Sequence, residues 1–350
     1  MNTTSTIVQF NLPDHLACPK PTEDRDLARD EVRLLVTRGS SEAEHDEFSN
    51  LDRYLERGDV LVTNTSATRP SAFFISLPEG RKGVLHLSTR LNAREWLIEI
   101  REIKGTKTIR WKEGAEKMTF SLPMDSFITL KKKFYKDYRL LDLWIAEFDT
   151  THQPEMLMTN YGRPIKYDKL DENYPIEYYQ TLFSFHPGSS EMPSAGRGFT
   201  PALIEKLLTK GIVFAPILLH TGISSLEDNE TPYPEYMEVS PLSALVINNA
   251  KDHGRRIIAV GTTAVRAVES AVNHVGKVQS YQGNTSLFIE ENYDMKVVDG
   301  LLTGFHEPRA SHLHMLQSLA GADHIHYAYE MALAKNYYWH QFGDLHLILP

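Results

Sequence analysis

The sequence has one cysteine, Cys18, so it can build neither an internal disulfide nor a multi-cysteine zinc site. Long apolar runs are missing too. One of the longest, Ile212 to Leu219, falls well short of the roughly 18 to 20 residues needed to cross a bilayer, and no membrane span is expected. The N-terminal stretch mixes polar and charged positions (Asp14, Lys20, Glu23, Asp24, Arg25) and shows no apolar core followed by a small-residue cleavage site, so a cytoplasmic location is expected. Positive charge is in deficit: 37 Lys and Arg stand against 46 Asp and Glu, a net −9 over 350 residues, which excludes a surface coated uniformly for nucleic acid.

What is present describes a globular chain, 41% hydrophobic and 24% charged, long enough for one large or two medium domains. The charge is partitioned. Residues 80 to 139 hold fifteen Lys and Arg against seven Asp and Glu, a balance of +8, which leaves −17 on the rest of the chain. Within that segment Lys131, Lys132, Lys133, Lys136 and Arg139 are interleaved with Phe134, Tyr135 and Tyr138, a mixture suited to phosphate contact and base stacking. A solvated strand edge blunted by lysines reads the same way.

Several familiar sites are absent. Gly196 and Gly198 lack the third glycine of a dinucleotide fingerprint, and there is no phosphate-binding P-loop. Gly188-Ser189-Ser190 lacks the second glycine of a nucleophile elbow, and His306-Glu307 runs into Pro308 rather than into a zincin helix. His312 with His314 and His324 with His326 lie in segments that read as helical, where residues two apart point to different faces, so no metal site is expected.

From about Gly83 to Phe148 the chain alternates with period two, as in Trp96, Ile98 and Ile100 against Leu97, Glu99 and Arg101, and predicts a small antiparallel β-barrel or sandwich. The remainder alternates helix and strand. Thr200-Pro201 starts a helix that Gly211 ends before the run Ile212 to Leu219; Ser240-Pro241 starts another that Gly254 closes before the strand Arg256 to Val260. Val32 to Val36 and Asp59 to Thr63 read as further strands, with a helix near Leu51 to Leu55. The expectation is an α/β fold with several domains: a discontinuous α/β core, 1–75 and 152–350, carrying an inserted β-barrel, 76–151.

Five segments carry candidate chemistry. Gly261-Thr262-Thr263-Ala264-Val265-Arg266 stands between a buried strand and a helix, and its free N–H groups, hydroxyls and guanidinium suit a carboxylate or phosphate. A capped helix with Arg266 paired to Glu269 or Glu238 is the structural alternative. Pro193 to Thr200 is a small-residue loop that permits close backbone approach, and also reads as a plain tight turn. His220-Thr221-Gly222 follows a strand whose C-terminal end is where open α/β sheets bind ligands. His306 lies in the loop from Asp299 to Ser311, and Gly343-Asp344 precedes the last apolar strand.

Taken in order, these segments resemble the S-adenosylmethionine:tRNA ribosyltransferase-isomerase family of the queuosine pathway. The likeness begins at Phe10 to Pro13 and Arg29 to Val36, and runs through Arg57 to Thr65, Tyr178-Tyr179-Gln180-Thr181, Pro193 to Thr200, Gly254 to Thr263, Val297 to Leu302, Phe305-His306 and Phe342-Gly343-Asp344. The family's fold, an α/β domain with an inserted β-barrel, agrees with the architecture read from the pattern. The resemblance implies transfer and isomerisation of the ribosyl group of S-adenosylmethionine onto 7-aminomethyl-7-deazaguanine at the wobble position of a tRNA anticodon loop, giving epoxyqueuosine with release of adenine and methionine. S-adenosylmethionine is then a co-substrate, and neither a prosthetic group nor a metal is implied. It further implies His220 or His306 as proton shuttles, Asp344 as a polar orienter, and Asn64, Ser194, Gly196, Arg197, Thr262, Thr263 and Arg266 as substrate-binding residues. The lysine-rich block, Lys131 to Arg139, would meet the tRNA.

The chain departs from the family pattern at several loop ends. Arg197-Gly198 stands where the family has leucine and histidine, Asn64 to Ala72 lacks two family arginines, and Gly304 to His312 replaces Asn-Phe-His-Leu-Pro-Lys-Ser-Thr-Leu. Two further readings therefore stay open: a paralogue using the same donor on a small-molecule acceptor, and a degenerate member that binds RNA or nucleotide without turnover. The oligomeric state is not legible.

Overall fold

The structure, a computed structural model, describes residues 8–105, 107–136, 139–150, 152–167, 169–223 and 233–350. In chain order the first strands are β1 (Arg33–Arg38), β2 (Glu42–Glu47), β3 (Val60–Asn64) and β4 (Ser66–Thr68). There follow β5 (Ala72–Ser76), β6 (Lys82–Arg90), β7 (Glu95–Lys104), β8 (Lys107–Arg110), β9 (Thr119–Leu122), β10 (Ser126–Lys136) and β11 (Arg139–Asp149). The rest comprises α1 (Pro154–Tyr161), β12 (His186–Ser189), α2 (Pro201–Lys210), β13 (Val213–Leu219), β14 (Glu235–Val239), α3 (Pro241–Asp252), β15 (Ile257–Val260), α4 (Thr262–Ser270), β16 (Tyr281–Thr285), β17 (Gly300–Gly304), α5 (His312–Ala320), α6 (Ala322–Ala334) and β18 (Leu345–Leu349).

The helix starts follow from local chemistry. Thr200 Oγ1 accepts the Leu203 N–H at 3.2 Å, Pro201 supplies the first helical residue of α2, and Gly211 takes the left-handed conformation (φ +89°) that stops it. Ser240 does the same for α3, accepting the Ser243 N–H at 3.0 Å. Each strand then buries alternate residues on opposite faces: Val60 and Val62 meet α3 and α4, while Leu61 meets α2 and the 3-10 turn Phe48–Tyr54. The helix expected near Leu51 to Leu55 is that 3-10 turn.

The result is a nine-stranded sheet in the order β16-β14-β13-β3-β15-β17-β18-β1-β2. Its centre, β13-β3-β15-β17, is parallel throughout. Four consecutive parallel strands therefore end along one edge, at Leu219, Asn64, Val260 and Gly304. The polar strand β2, Glu42–Glu47, closes the opposite end and carries no hydrophobic alternation from which it could be read.

Residues 72–149 form a separate seven-stranded sheet, β5-β6-β7-β11-β10-β9 with β8 on β7, in which every pair is antiparallel and β5 comes back towards β9. It is barrel-like, filled by Trp96, Trp111, Trp144, Phe73 and Phe120, and the whole chain is a mixed α/β protein. The sheet begins upstream of residue 76, because β5 already belongs to it. Inside it Glu99 is buried against His86 (3.2 Å), Arg101 (3.0 Å) and Arg110 (3.4 Å). Burial would raise its pKa, and these partners outweigh that and hold it at about 2. Among the described residues no helix is long and apolar enough to cross a membrane.

Candidate active site

The C-terminal edge of the four parallel strands brings together segments far apart in sequence. β3 ends in Asn64, β13 in His220 and Thr221, β15 in Gly261 and the start of α4, and β17 in the loop of His306. Asn64 ties three of these ends: its Nδ2 donates to Leu219 O (2.9 Å) and Thr263 Oγ1 (3.2 Å), and its Oδ1 accepts from Leu219 N and Ser66 N. Both polar atoms of Asn64 are thus committed within the protein. Gly261 has φ +89°, and a β-carbon there would stand 3.3 Å from that of Ala195, so this glycine both permits the turn into α4 and lets the Ser194–Gly196 turn close against it.

Beside that edge opens a cleft, about 600 Å³ when the solvent open to it is counted. Thr262, Thr263 and Arg266 form one wall, Thr221, Tyr233 and Glu235 a second, and Ser311, His312 and Met315 a third, with Leu287 to Ile289 as an apolar floor. Arg266 is almost fully buried. Its Nη1 pairs with Glu235 Oε2 and its Nε donates to Leu287 O at 3.0 Å, whereas Nη2 has no partner among the described residues. Glu235 is steadied in turn by the Gly222 N–H, 2.7 Å from Oε1. The arginine therefore pairs with Glu235 and with neither Glu269 nor Glu238; Glu269 instead accepts the N–H groups of Lys296, Val297 and Val298. Thr221 Oγ1 is a second buried group on the same cleft without a partner among the described residues. The first-turn N–H groups of α4 add donors with no intrahelical acceptor.

Of the two histidines expected to move protons, neither lines this cleft directly. His306 binds Thr303 Oγ1 through Nε2 (3.0 Å), takes Tyr329 OH on its N–H (3.1 Å), and stacks its ring on His312 at 4.7 Å. His312 is the imidazole that faces the cleft, and neither of its ring nitrogens has a protein partner among the described residues. Burial, with Arg266 next, holds His312 at about 4, and burial pushes His306 well below its ordinary value. His220 lies at the edge behind Thr221, with Nδ1 2.8 Å from Ser66 Oγ.

A smaller hollow of about 310 Å³ lies elsewhere, lined by Ser194, Arg197, His340 and Asp344 among others. Here the expected site residues act as braces. Arg197 donates to Tyr178 O (2.9 Å) and Thr22 Oγ1 (3.0 Å), pairs with Glu23, and lies 4.6 Å over the Phe342 ring. Asp344 accepts from the Arg33 N–H (2.9 Å), the Arg33 guanidinium and the Tyr338 N–H (2.7 Å), fastening the start of β18 to β1. Gly196 packs on Phe183 and Thr181.

On β10, Lys132 is exposed, Lys131 is exposed and pairs with Glu147, and Lys133 is half-buried over the Trp144 ring at 4.6 Å. The side chains of Lys136 and Arg139 lie outside the described residues. The strand reaches the cleft through Phe134, whose ring meets Tyr233 edge-on at 6.3 Å. Among the described residues no group of three His, Cys, Asp or Glu is placed to hold a metal ion, and the two His-x-His pairs lie on α5 and α6.

A family model described as "Queuosine biosynthesis protein" matches residues 6–348. The chain belongs to that family. It is similar to the S-adenosylmethionine:tRNA ribosyltransferase-isomerase of Carboxydothermus hydrogenoformans, at 33% identity over 97% of this chain and 98% of that protein. The protein of the same name from Thermotoga maritima is 32% identical over the same shares of the two chains. A crystal structure of a Thermotoga maritima S-adenosylmethionine tRNA ribosyltransferase superposes with a TM-score of 0.55 at 28% identity, covering 98% of this chain and all of that one. Within this queuosine family the chain carries His312 just after the loop that holds His306, at the start of α5. Sequence reasoning weighed that residue only as half of a metal pair and missed its place on the cleft; its position six residues after His306 was the available signal. Glu235 and Tyr233 carried no motif at all.

Proposed function

We propose that the chain is an S-adenosylmethionine-dependent tRNA ribosyltransferase-isomerase of queuosine biosynthesis, acting on 7-aminomethyl-7-deazaguanine at the tRNA wobble position. The observation that carries this reading is the pair of buried polar groups, Arg266 Nη2 and Thr221 Oγ1, that have no partner among the described residues and line one cleft beside a helix N-terminus. Such orphans are costly in a folded protein unless a ligand completes them.

In this reading the methionine carboxylate lies against Arg266 and the N–H groups of Thr262 and Thr263, with charge-assisted hydrogen bonds. Asn64 acts as a positioning residue that holds Thr263. The stacked pair His306 and His312, neutral at pH 7, takes the proton from the carbon next to sulfonium, and its His312 member faces the cleft. Adenine leaves with the electron pair of the glycosidic bond and methionine with that of the carbon–sulfur bond, while the rearranged ribosyl carbons gain a bond to the aminomethyl nitrogen, which gives up a proton, and close the epoxide of the product. Exposed Lys131 and Lys132 on β10 meet tRNA phosphates, and Phe134 against Tyr233 links that strand to the cleft. The two sheets support a division into a discontinuous core and an insertion, with the insertion's sheet running from Ala72 to Asp149. A tRNA substrate fits a reaction carried out in the cytoplasm.

The test incubates the full chain with S-adenosylmethionine, with and without tRNA bearing the aminomethyl-deazaguanine base, and follows adenine and methionine by mass spectrometry. Release that requires this tRNA, with the matching mass gain on its nucleoside, is expected. Donor turnover with that tRNA left unmodified would overturn the acceptor, and no turnover would overturn the reading.

A further inference from the structure

His220 is held more tightly than a strand-end side chain requires. Its ring lies on Gly188, where a β-carbon would stand 2.1 Å away, and stacks on Tyr236 at 5.8 Å and 23°. A chain of hydrogen bonds runs into its Nδ1: the Thr221 N–H donates to Ser189 Oγ (2.9 Å), Ser189 Oγ lies 2.6 Å from Ser66 Oγ, and Ser66 Oγ lies 2.8 Å from Nδ1.

The direction of this chain follows from counting protons. Each serine hydroxyl carries one proton, and both serines are fully buried, so each proton must reach an acceptor. Among the described residues the only acceptor for the Ser189 proton is Ser66 Oγ. Ser66 then has its own proton to place, and His220 Nδ1 is the one acceptor left. The reverse direction, with Nδ1 donating to Ser66 and Ser66 to Ser189, strands the Ser189 proton in a dry site. Nδ1 therefore accepts, and a neutral ring bears its proton on Nε2.

We infer that Ser66 and Ser189 are positioning residues that fix His220 as the Nε2–H tautomer, so that it offers a hydrogen-bond donor to an acceptor atom of the bound substrate and does not serve as the base. Nε2 has no partner among the described residues and is not sealed from solvent. Among the described residues the charged and titratable groups around the ring are Arg69 after β4, Tyr236 and Glu238 on β14, and His186 on β12. Burial, then Arg69, hold His220 at about 4 against the opposing pull of Glu238, so the ring is neutral at pH 7. The identity of the acceptor, a ring nitrogen of adenine or a ribosyl oxygen, rests on the proposed function; the tautomer does not.

The test is two-bond proton–nitrogen NMR on the full chain labelled with nitrogen-15 histidine at pH 7.5, the His220 signals being assigned by their loss in His220→Gln. A proton on Nε2 with a bare Nδ1 is expected in the wild type. Ser66→Ala should release the ring to a mixture of tautomers, and Ser66→Thr should retain the lock. A wild-type ring protonated on Nδ1, or on both nitrogens, overturns the inference, and this readout holds even if Ser66→Ala fails to fold. In turnover, His220→Gln keeps a donor and is expected within about tenfold of wild type, whereas His220→Leu falls about a hundredfold. Equal loss in both variants would restore the base role. An Nε2–H ring in a protein that releases no adenine would leave this inference standing and remove the functional reading alone.

Discussion

Arg266 shows how one side chain is prepared for a ligand. Glu235 and Leu287 O hold two of its nitrogens, and the third is buried beside Thr262 and Thr263 with no partner among the described residues. Charge-assisted hydrogen bonds of this kind contribute about 1.5 to 3 kcal/mol, so Arg266→Ala is expected to raise KM for S-adenosylmethionine at least tenfold with a smaller change in kcat. Initial rates against donor concentration check this, and an unchanged KM would remove Arg266 from the donor site. The stacked pair is tested in the other parameter. His306→Ala combined with His312→Leu should lower kcat about a hundredfold or more while donor binding, followed by calorimetry, changes little. Arg197 and Asp344 teach the opposite lesson, since every strong donor or acceptor they own is already taken by Thr22, Glu23, Tyr178, Arg33 or Tyr338.

At the scale of elements, the basic run on β10 divides by face. Lys131, the extra residue in a register shift between Leu130 and Lys132, and Lys132 are both exposed, while Lys133 packs over Trp144. Period-two reasoning alone would have sent Lys131 and Lys132 to opposite faces. Replacing Lys131 and Lys132 with alanine should weaken tRNA binding and flatten its dependence on salt by about 0.7 to 0.9 in log–log slope for each phosphate that is no longer neutralised. Filter binding between low and moderate salt measures that slope, and an unchanged slope would move the tRNA surface away from β10. The helices were the most legible elements: Thr200-Pro201 with Gly211, and Ser240-Pro241, mark α2 and α3 closely because capping is a local interaction. The strands β2, β14 and β16 were not legible. Their residues are polar or short, and only pairing with a neighbour defines them.

For the whole molecule, burial of neutral histidines couples stability to pH. His220 and His312 are held at about 4 and His346 at about 3, against an unfolded value near 6.5, with burial the first cause in each case. Because the unfolded chain takes up these protons first, the stability they lend is complete above about pH 6.5 and is lost as pH falls towards 4. Glu23 and Glu99, held at about 2 by their basic partners against burial, add their own loss only below about 4.5. The melting temperature measured by calorimetry should therefore drop between pH 7 and 5, before the carboxylates titrate, and a flat profile over that range would contradict the buried-neutral assignment.

By itself the sequence determined what local chemistry controls: the absence of disulfide and long apolar spans, the caps and stops of α2 and α3, the period-two segment that becomes the barrel-like sheet, and a family likeness spread along nearly the whole chain. Tertiary structure decided which of the motif residues face one cleft. Four parallel strands end on one edge, so Asn64, Thr221, Thr262 and Thr263 converge across some two hundred residues of chain, while Arg197 and Asp344, equally prominent in the motifs, are drawn into bracing the other side. The same assembly put His312 in the cleft and left Arg266 Nη2 without a partner among the described residues. The physical reason is that a residue's hydrogen-bond partners and solvent exposure depend on neighbours distant in sequence, and spacing along a single strand or helix carries no record of them.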